Sequence, residues 1–135
     1  MKRNSMIVPG NPRVLPVTGD KGTTKLDVLF KSGIDLSLVD ERVAGKFCDI
    51  SVPAPPGWPK KVPIDYFPPY NALASRTCEA RIAIDGKITI PATLHVVKNI
   101  RYDVVIGAND MTRDRLRFAF DEHGMAISRG NPRNL

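Results

Sequence analysis

The chain has 135 residues, 42% hydrophobic and 25% charged, enough for one soluble domain with a modest core or a larger core shared with a second copy. Its net charge of +6 is scattered rather than gathered into runs with interleaved aromatics, which favours acidic partners and argues against nucleic-acid binding. No apolar run suits a membrane span or a signal peptide, and Cys48 and Cys78 lack the spacing of a zinc site or a disulfide framework. The expectation is therefore a cytoplasmic or nuclear protein with reduced thiols, no membrane partner, no metal and no cofactor.

In chain order, residues 1–13 carry Pro9, Gly10 and Pro12 without periodicity and read as a flexible arm. Val14 to Val17 suits a short edge strand, since Pro16 lacks the N–H that an interior strand needs. Thr18-Gly19-Asp20-Lys21-Gly22 is a turn cluster. Lys25 to Phe30 alternates, placing Leu26, Val28 and Phe30 on one face of a strand. Ser32-Gly33 ends that strand, and Leu36 to Val39 makes a short apolar one. Asp40 is suited to cap a brief helix over Glu41 to Phe47.

Residues 53–69 then hold seven of the twelve prolines and the only tryptophan, Trp58. Proline removes a ladder donor, so this stretch predicts an extended loop or a lid rather than an interior strand. Thr77 to Ile84 and Lys87 to Val97 form two strands joined at Asp85-Gly86, a strong hairpin signal. Ile88, Ile90, Ala92, Leu94 and Val96 share one face; Thr89, Pro91, Thr93 and His95 share the other. Asn99-Ile100-Arg101 turns into a strand at Tyr102 to Ile106. Asn109 to Leu116 suits a helix, and Arg117 to Ile127 a final hairpin turning near Glu122-His123-Gly124. The result is an all-β domain over residues 14–128 with one or two short helices, followed by a flexible tail at 129–135. The regular strand and turn spacing points to a closed barrel or sandwich.

Two turns stand out within this order. Leu29-Phe30-Lys31-Ser32-Gly33-Ile34 places a polar residue and a Ser-Gly pair after two large apolar residues, and Val105-Ile106-Gly107-Ala108-Asn109 looks like its echo. From Leu26 to Ile127, three quarters of the chain, the arrangement resembles the retropepsin-like (retroviral-type) aspartic protease family. That family presents a catalytic Asp-Ser/Thr-Gly turn, a flap hairpin, and a hydrophobic-Gly turn that braces the first. The resemblance implies a retropepsin-like closed half-barrel and a homodimer. It places Lys31 at the catalytic Asp position beside Ser32 and Gly33. It also implies substrate or partner contacts at Ile34, Asp35, Trp58, Tyr66 and Phe67, and a brace at Ile106, Gly107 and Asn109.

The changed residue alters the chemistry. In the family, two carboxylates meet at the dimer axis and share a proton; one serves as general base on a water while the other protonates the peptide carbonyl. An ammonium does neither, and two of them at an axis repel. Lys31 would have to bind an anion, snorkel away from the axis, or prevent the usual dimer. Asp35 reads as structural, Asp40 as a cap and Asp103 as a surface carboxylate, so no substitute catalytic aspartate is found. Ala108 stands where the family often has Arg, so an internal ion pair is missing or replaced. Schiff-base chemistry at Lys31 has no supporting acid or phosphate motif. Ser32 has no adjacent histidine, His95 and His123 read as exposed, and the cysteines read as buried small apolar residues. Trp58, Tyr66, Phe67 and Tyr70 among prolines suit a cover over the core or a peptide contact.

The function implied is a catalytically inactive retropepsin-like domain, a pseudoprotease serving as a dimerisation or polypeptide-binding module. The alternative is a retroviral-type aspartic endopeptidase whose catalytic Asp has been replaced by Lys31.

Overall fold

A computed structural model describes residues 6–7, 12–65, 69–121 and 124–129. Its elements run β1 (Met6–Ile7), β2 (Arg13–Gly19), β3 (Gly22–Phe30), β4 (Ser37–Asp40), α1 (Glu41–Ala44), β5 (Lys60–Pro63) and β6 (Asn71–Ala74). They continue with β7 (Thr77–Ala83), β8 (Thr89–Val97), β9 (Val104–Ile106), α2 (Ala108–Arg113), β10 (Leu116–Asp121) and β11 (Gly124–Arg129). Six strands close a barrel in the order β2-β3-β9-β4-β8-β7. The hairpin β5-β6 stands apart as a two-stranded sheet, and β1-β11-β10 form a third.

The alternating residues drive the barrel. On β8, Ile90, Ala92, Leu94 and Val96 are buried, while Thr89 and Pro91 face solvent. Burial of each large aliphatic side chain contributes about 1.5–3 kcal/mol before entropy. Leu26, Val28 and Phe30 of β3 join the same core, as the alternation predicts, with Val17, Phe47 and Ile82. The end of β3 departs from alternation, because Val28, Leu29 and Phe30 are all buried. Leu29 points the other way, into a second cluster under the β5-β6 hairpin with Ile34, Leu38, Val62, Ala74, Val97 and Val105. This strand end is covered on both faces, by the barrel interior and by the hairpin.

The decisive topological feature is that β3 and β4 follow one another in the chain but do not pair. β9 lies between them, parallel to β3 (Leu29 opposite Val105) and antiparallel to β4 (Leu38 opposite Val105). Leu29, Val105 and Leu38 thus form one outward-facing apolar row across three strands. The chain between β3 and β4 must cross over the end of β9, and this brings the two Gly turns together.

Several expectations need correction. β2 is not an edge strand: it pairs with β3 over seven residues and with β7 at Val17 and Thr18. Pro16 is tolerated because it lies just outside the short ladder to β7. The proline-rich stretch includes a strand, β5, although in the separate hairpin rather than in the barrel. The first helix stops at Ala44, with Asp40 as N-cap accepting from the Arg42 N–H and Gly45 as C-cap.

Cys48 and Cys78 are joined in a disulfide, with Cα atoms 6.1 Å apart. The pair had no sequence signature because its members are 30 residues apart and meet only where the barrel packs β7 against the loop after α1. His95 is half-buried, with Nδ1 3.0 Å from the Ser37 carbonyl. Asp103 is not an ordinary surface carboxylate. It accepts from the Asp27 N–H (3.0 Å) and the Arg42 guanidinium (2.9 Å), tying β3 to the start of α1. Met6–Ile7, within the predicted arm, pair with β11. His123 lies outside the described residues.

Candidate functional site

The site is built where the two Gly turns meet. Continuing the β3–β9 register, the Lys31 N–H donates to the Ile106 carbonyl at 2.9 Å. The Ala108 N–H then donates to the Ile34 carbonyl at 2.7 Å, and the Asn109 N–H to the Asp35 carbonyl at 3.0 Å. Gly107 is required for this approach: a Cβ there would overlap the Leu36 carbonyl oxygen and lie 2.7 Å from Leu36 C and 2.8 Å from Asp35 O. Backbone cannot rotate aside as a flexible side chain can.

A buried polar network holds the brace from behind. Ser37 Oγ accepts from the Gly107 N–H at 2.9 Å and donates to Asp110, whose other oxygen takes the Arg113 guanidinium at 2.7 Å. Ser37 and Asp110 are both buried, and each carries the partners that burial demands. Where the sequence reading left an internal ion pair missing or replaced beside Ala108, the ion pair found is Asp110 with Arg113 on α2.

In front of the turns lies a groove of about 610 Å³. Its floor includes the row Leu29, Leu38 and Val105 and the turn Lys31-Ser32-Gly33. One wall comes from the hairpin loop, through Ile64, Asp65 and Pro69; the other is Asn99-Ile100-Arg101-Tyr102. The hairpin loop closes where the Ile64 N–H donates to the Tyr70 carbonyl at 2.8 Å. Lys31 Nζ contacts Asp65 Oδ1 at 3.1 Å, with the two side chains 29% and 43% exposed, linking the floor to the hairpin. Such a partly exposed pair adds at most about 1 kcal/mol to stability. Its importance lies in what occupies the turn: an ammonium donates hydrogen bonds and offers no base.

The expected site residues divide accordingly. Lys31, Ser32 and Gly33 line the groove. Ile106 and Gly107 are buried and brace it from below, while Asn109 and Asp35 are exposed and joined through their backbones. Ile34 is only 5% exposed and belongs to the second cluster, so its side chain packs there rather than lining the groove. Trp58 also lies away from the groove lining. It packs on that cluster, 6.2 Å from the His95 ring and with the Lys60 ammonium 4.8 Å from its centroid, and it does not line the groove. Tyr66 and Phe67 lie outside the described residues. Sequence reading missed the wall at residues 99–102. The signal was present in Asn99, a residue type that tolerates the left-handed backbone it adopts here (φ 63°), followed by a basic-aromatic pair.

No protein-family model and no curated protein sequence matches the chain. Among solved structures it is similar to the retroviral protease-like domain of Ddi1 from Leishmania major, with a TM-score of 0.53 and 14% identity, over 93% of this chain and 99% of that one. At that identity the likeness speaks for the fold alone. Together with the closed six-stranded barrel and the short helices α1 and α2, it establishes that this chain has a retropepsin-like fold.

Proposed function

We propose that the chain is a catalytically inactive retropepsin-like domain whose groove holds an extended polypeptide, and that two copies associate as a homodimer. The observation that carries this reading is the residue at the tip of β3. Lys31 is bound through its N–H to the Ile106 carbonyl and its ammonium is paired with Asp65, and we read it as standing where the family carries its catalytic aspartate. Residues 31–34 contain no carboxylate. A groove that sets apolar and polar side chains side by side supports peptide binding, since an extended chain can be held by main-chain bonding and side-chain pockets without any hydrolytic group.

The test has two arms. Incubation with an unfolded protein substrate at acidic and neutral pH is expected to give no cleavage; cleavage blocked by a pepstatin-type inhibitor refutes the inactive reading. Titration with apolar hexapeptides, followed by NMR, is expected to shift Leu29, Lys31, Ile64 and Tyr102. Saturation without movement there refutes peptide binding in the groove.

A second reading, an aspartic endopeptidase whose Asp has been replaced by Lys31, is supported by the intact brace around Gly107. Pepstatin-sensitive cleavage by Lys31→Asp would favour it. A cytoplasmic or nuclear location remains our proposal, and it has a chemical consequence. Disulfides persist in oxidising compartments, so in a reducing one Cys48 and Cys78 would be open.

A further inference from the structure

The groove is not electrically neutral. Among the described residues, two cationic side chains, Lys31 and Arg101, line it against one carboxylate, Asp65. Lysine carries three N–H donors, and among the described residues the one contact made by the Lys31 ammonium is to Asp65 Oδ1. Two donors therefore remain for a ligand, on a side chain that is 29% exposed toward the groove. Arg101 is exposed, with its guanidinium carbon 5.6 Å from the Tyr102 ring centroid, and among the described residues it has no carboxylate partner. Around these cations the lining includes the apolar side chains of Leu29, Ile64 and Ile100 along with Ser32 and Asn99.

We infer that the groove selects extended polypeptide segments that carry an acidic side chain between apolar ones, the carboxylate being taken by Lys31 and Arg101. This rests on the reading of the groove as a polypeptide-binding site and names the chemistry of what it binds. One added carboxylate balances the two cations and one anion already present. A bound peptide also displaces water from the groove, which strengthens charge pairing over its value at an open surface. The apolar neighbours on the peptide meet the floor row. A nucleic acid is the other anionic polymer to consider, but stacking requires exposed ring faces, and Tyr102 is half-buried with Arg101 over it.

The experiment uses the full chain and fluorescence polarisation of two labelled, end-capped peptides, one alternating Val or Leu with Glu and one with Gln at each Glu. The acidic peptide is expected to bind about tenfold more tightly at low salt, with the ratio shrinking as salt is raised. Lys31→Met and Arg101→Gln should each reduce that ratio severalfold, and the double variant should bring it near one. Arg101 is exposed and outside the brace, so Arg101→Gln carries the test if Lys31→Met fails to fold. Equal affinity for the two peptides overturns acidic selection while leaving the polypeptide-binding reading intact. Binding of neither peptide overturns both. Displacement of the acidic peptide by a single-stranded oligonucleotide of equal charge at lower concentration overturns the polypeptide as the selected anion.

Discussion

Gly107→Ala is the sharpest test of how the two turns support the groove. The added methyl would overlap the Leu36 carbonyl and sit 2.7 Å from Leu36 C and 2.8 Å from Asp35 O, whereas relaxed carbon contacts need about 3.5 Å. The obstacles are all backbone, so the 35–36 segment or the β9 end must move by most of an ångström. Overpacking of this kind costs about 1–3 kcal/mol. The same displacement stretches the bonds Ala108 N–H to Ile34 and Asn109 N–H to Asp35, each worth about 0.5–1.5 kcal/mol. The expected loss is about 4 kcal/mol, which for a chain of this size lowers Tm by about 10–20 °C. Urea denaturation and thermal melts measure it, with Gly86→Ala as control. A methyl on Gly86 would meet nothing within 4 Å and should change stability by no more than about 0.5 kcal/mol. Equal melting temperatures for the two variants would show that the turns do not pack against each other as described, and that Lys31 is not braced.

Other substitutions probe separate parts of the molecule. Ser37→Ala strands the buried Gly107 N–H and removes a donor from Asp110, and should cost about 2–4 kcal/mol in urea denaturation; a loss below about 0.5 kcal/mol would mean the network is dispensable. Opening the Cys48–Cys78 bond with Cys48→Ser, read against the oxidised chain, should lower stability by about 3–4 kcal/mol, as chain entropy predicts for a loop of this length. Unchanged stability with and without reductant would refute that contribution. If two copies meet at the 31–34 turn, their Lys31 ammonium groups repel across the axis. Lys31→Met should then tighten the dimer about tenfold in sedimentation at low salt. A dimer indifferent to both the substitution and salt would show that association uses another surface.

Much of this protein is written in local patterns. Period-two alternation marked β3 and β8, Asp85-Gly86 marked the hairpin of β7 with β8, and Asp40 marked the start of α1, because each depends on interactions within a few residues. The resemblance of the two Gly turns to a known pair pointed to the barrel and to Lys31 as the residue of interest. What tertiary structure alone decided are the pairings between distant residues. The insertion of β9 between β3 and β4 buries Ile34 and turns Leu29 toward the hairpin. Packing likewise joined Cys48 to Cys78, gave Asp103 its partners, and linked Ser37, Asp110 and Arg113 behind the brace. It withdrew Trp58 from the groove and brought Arg101 to it. These outcomes follow from closing a barrel, which fixes neighbours by strand order and register, and neither quantity is encoded in the spacing of any one segment.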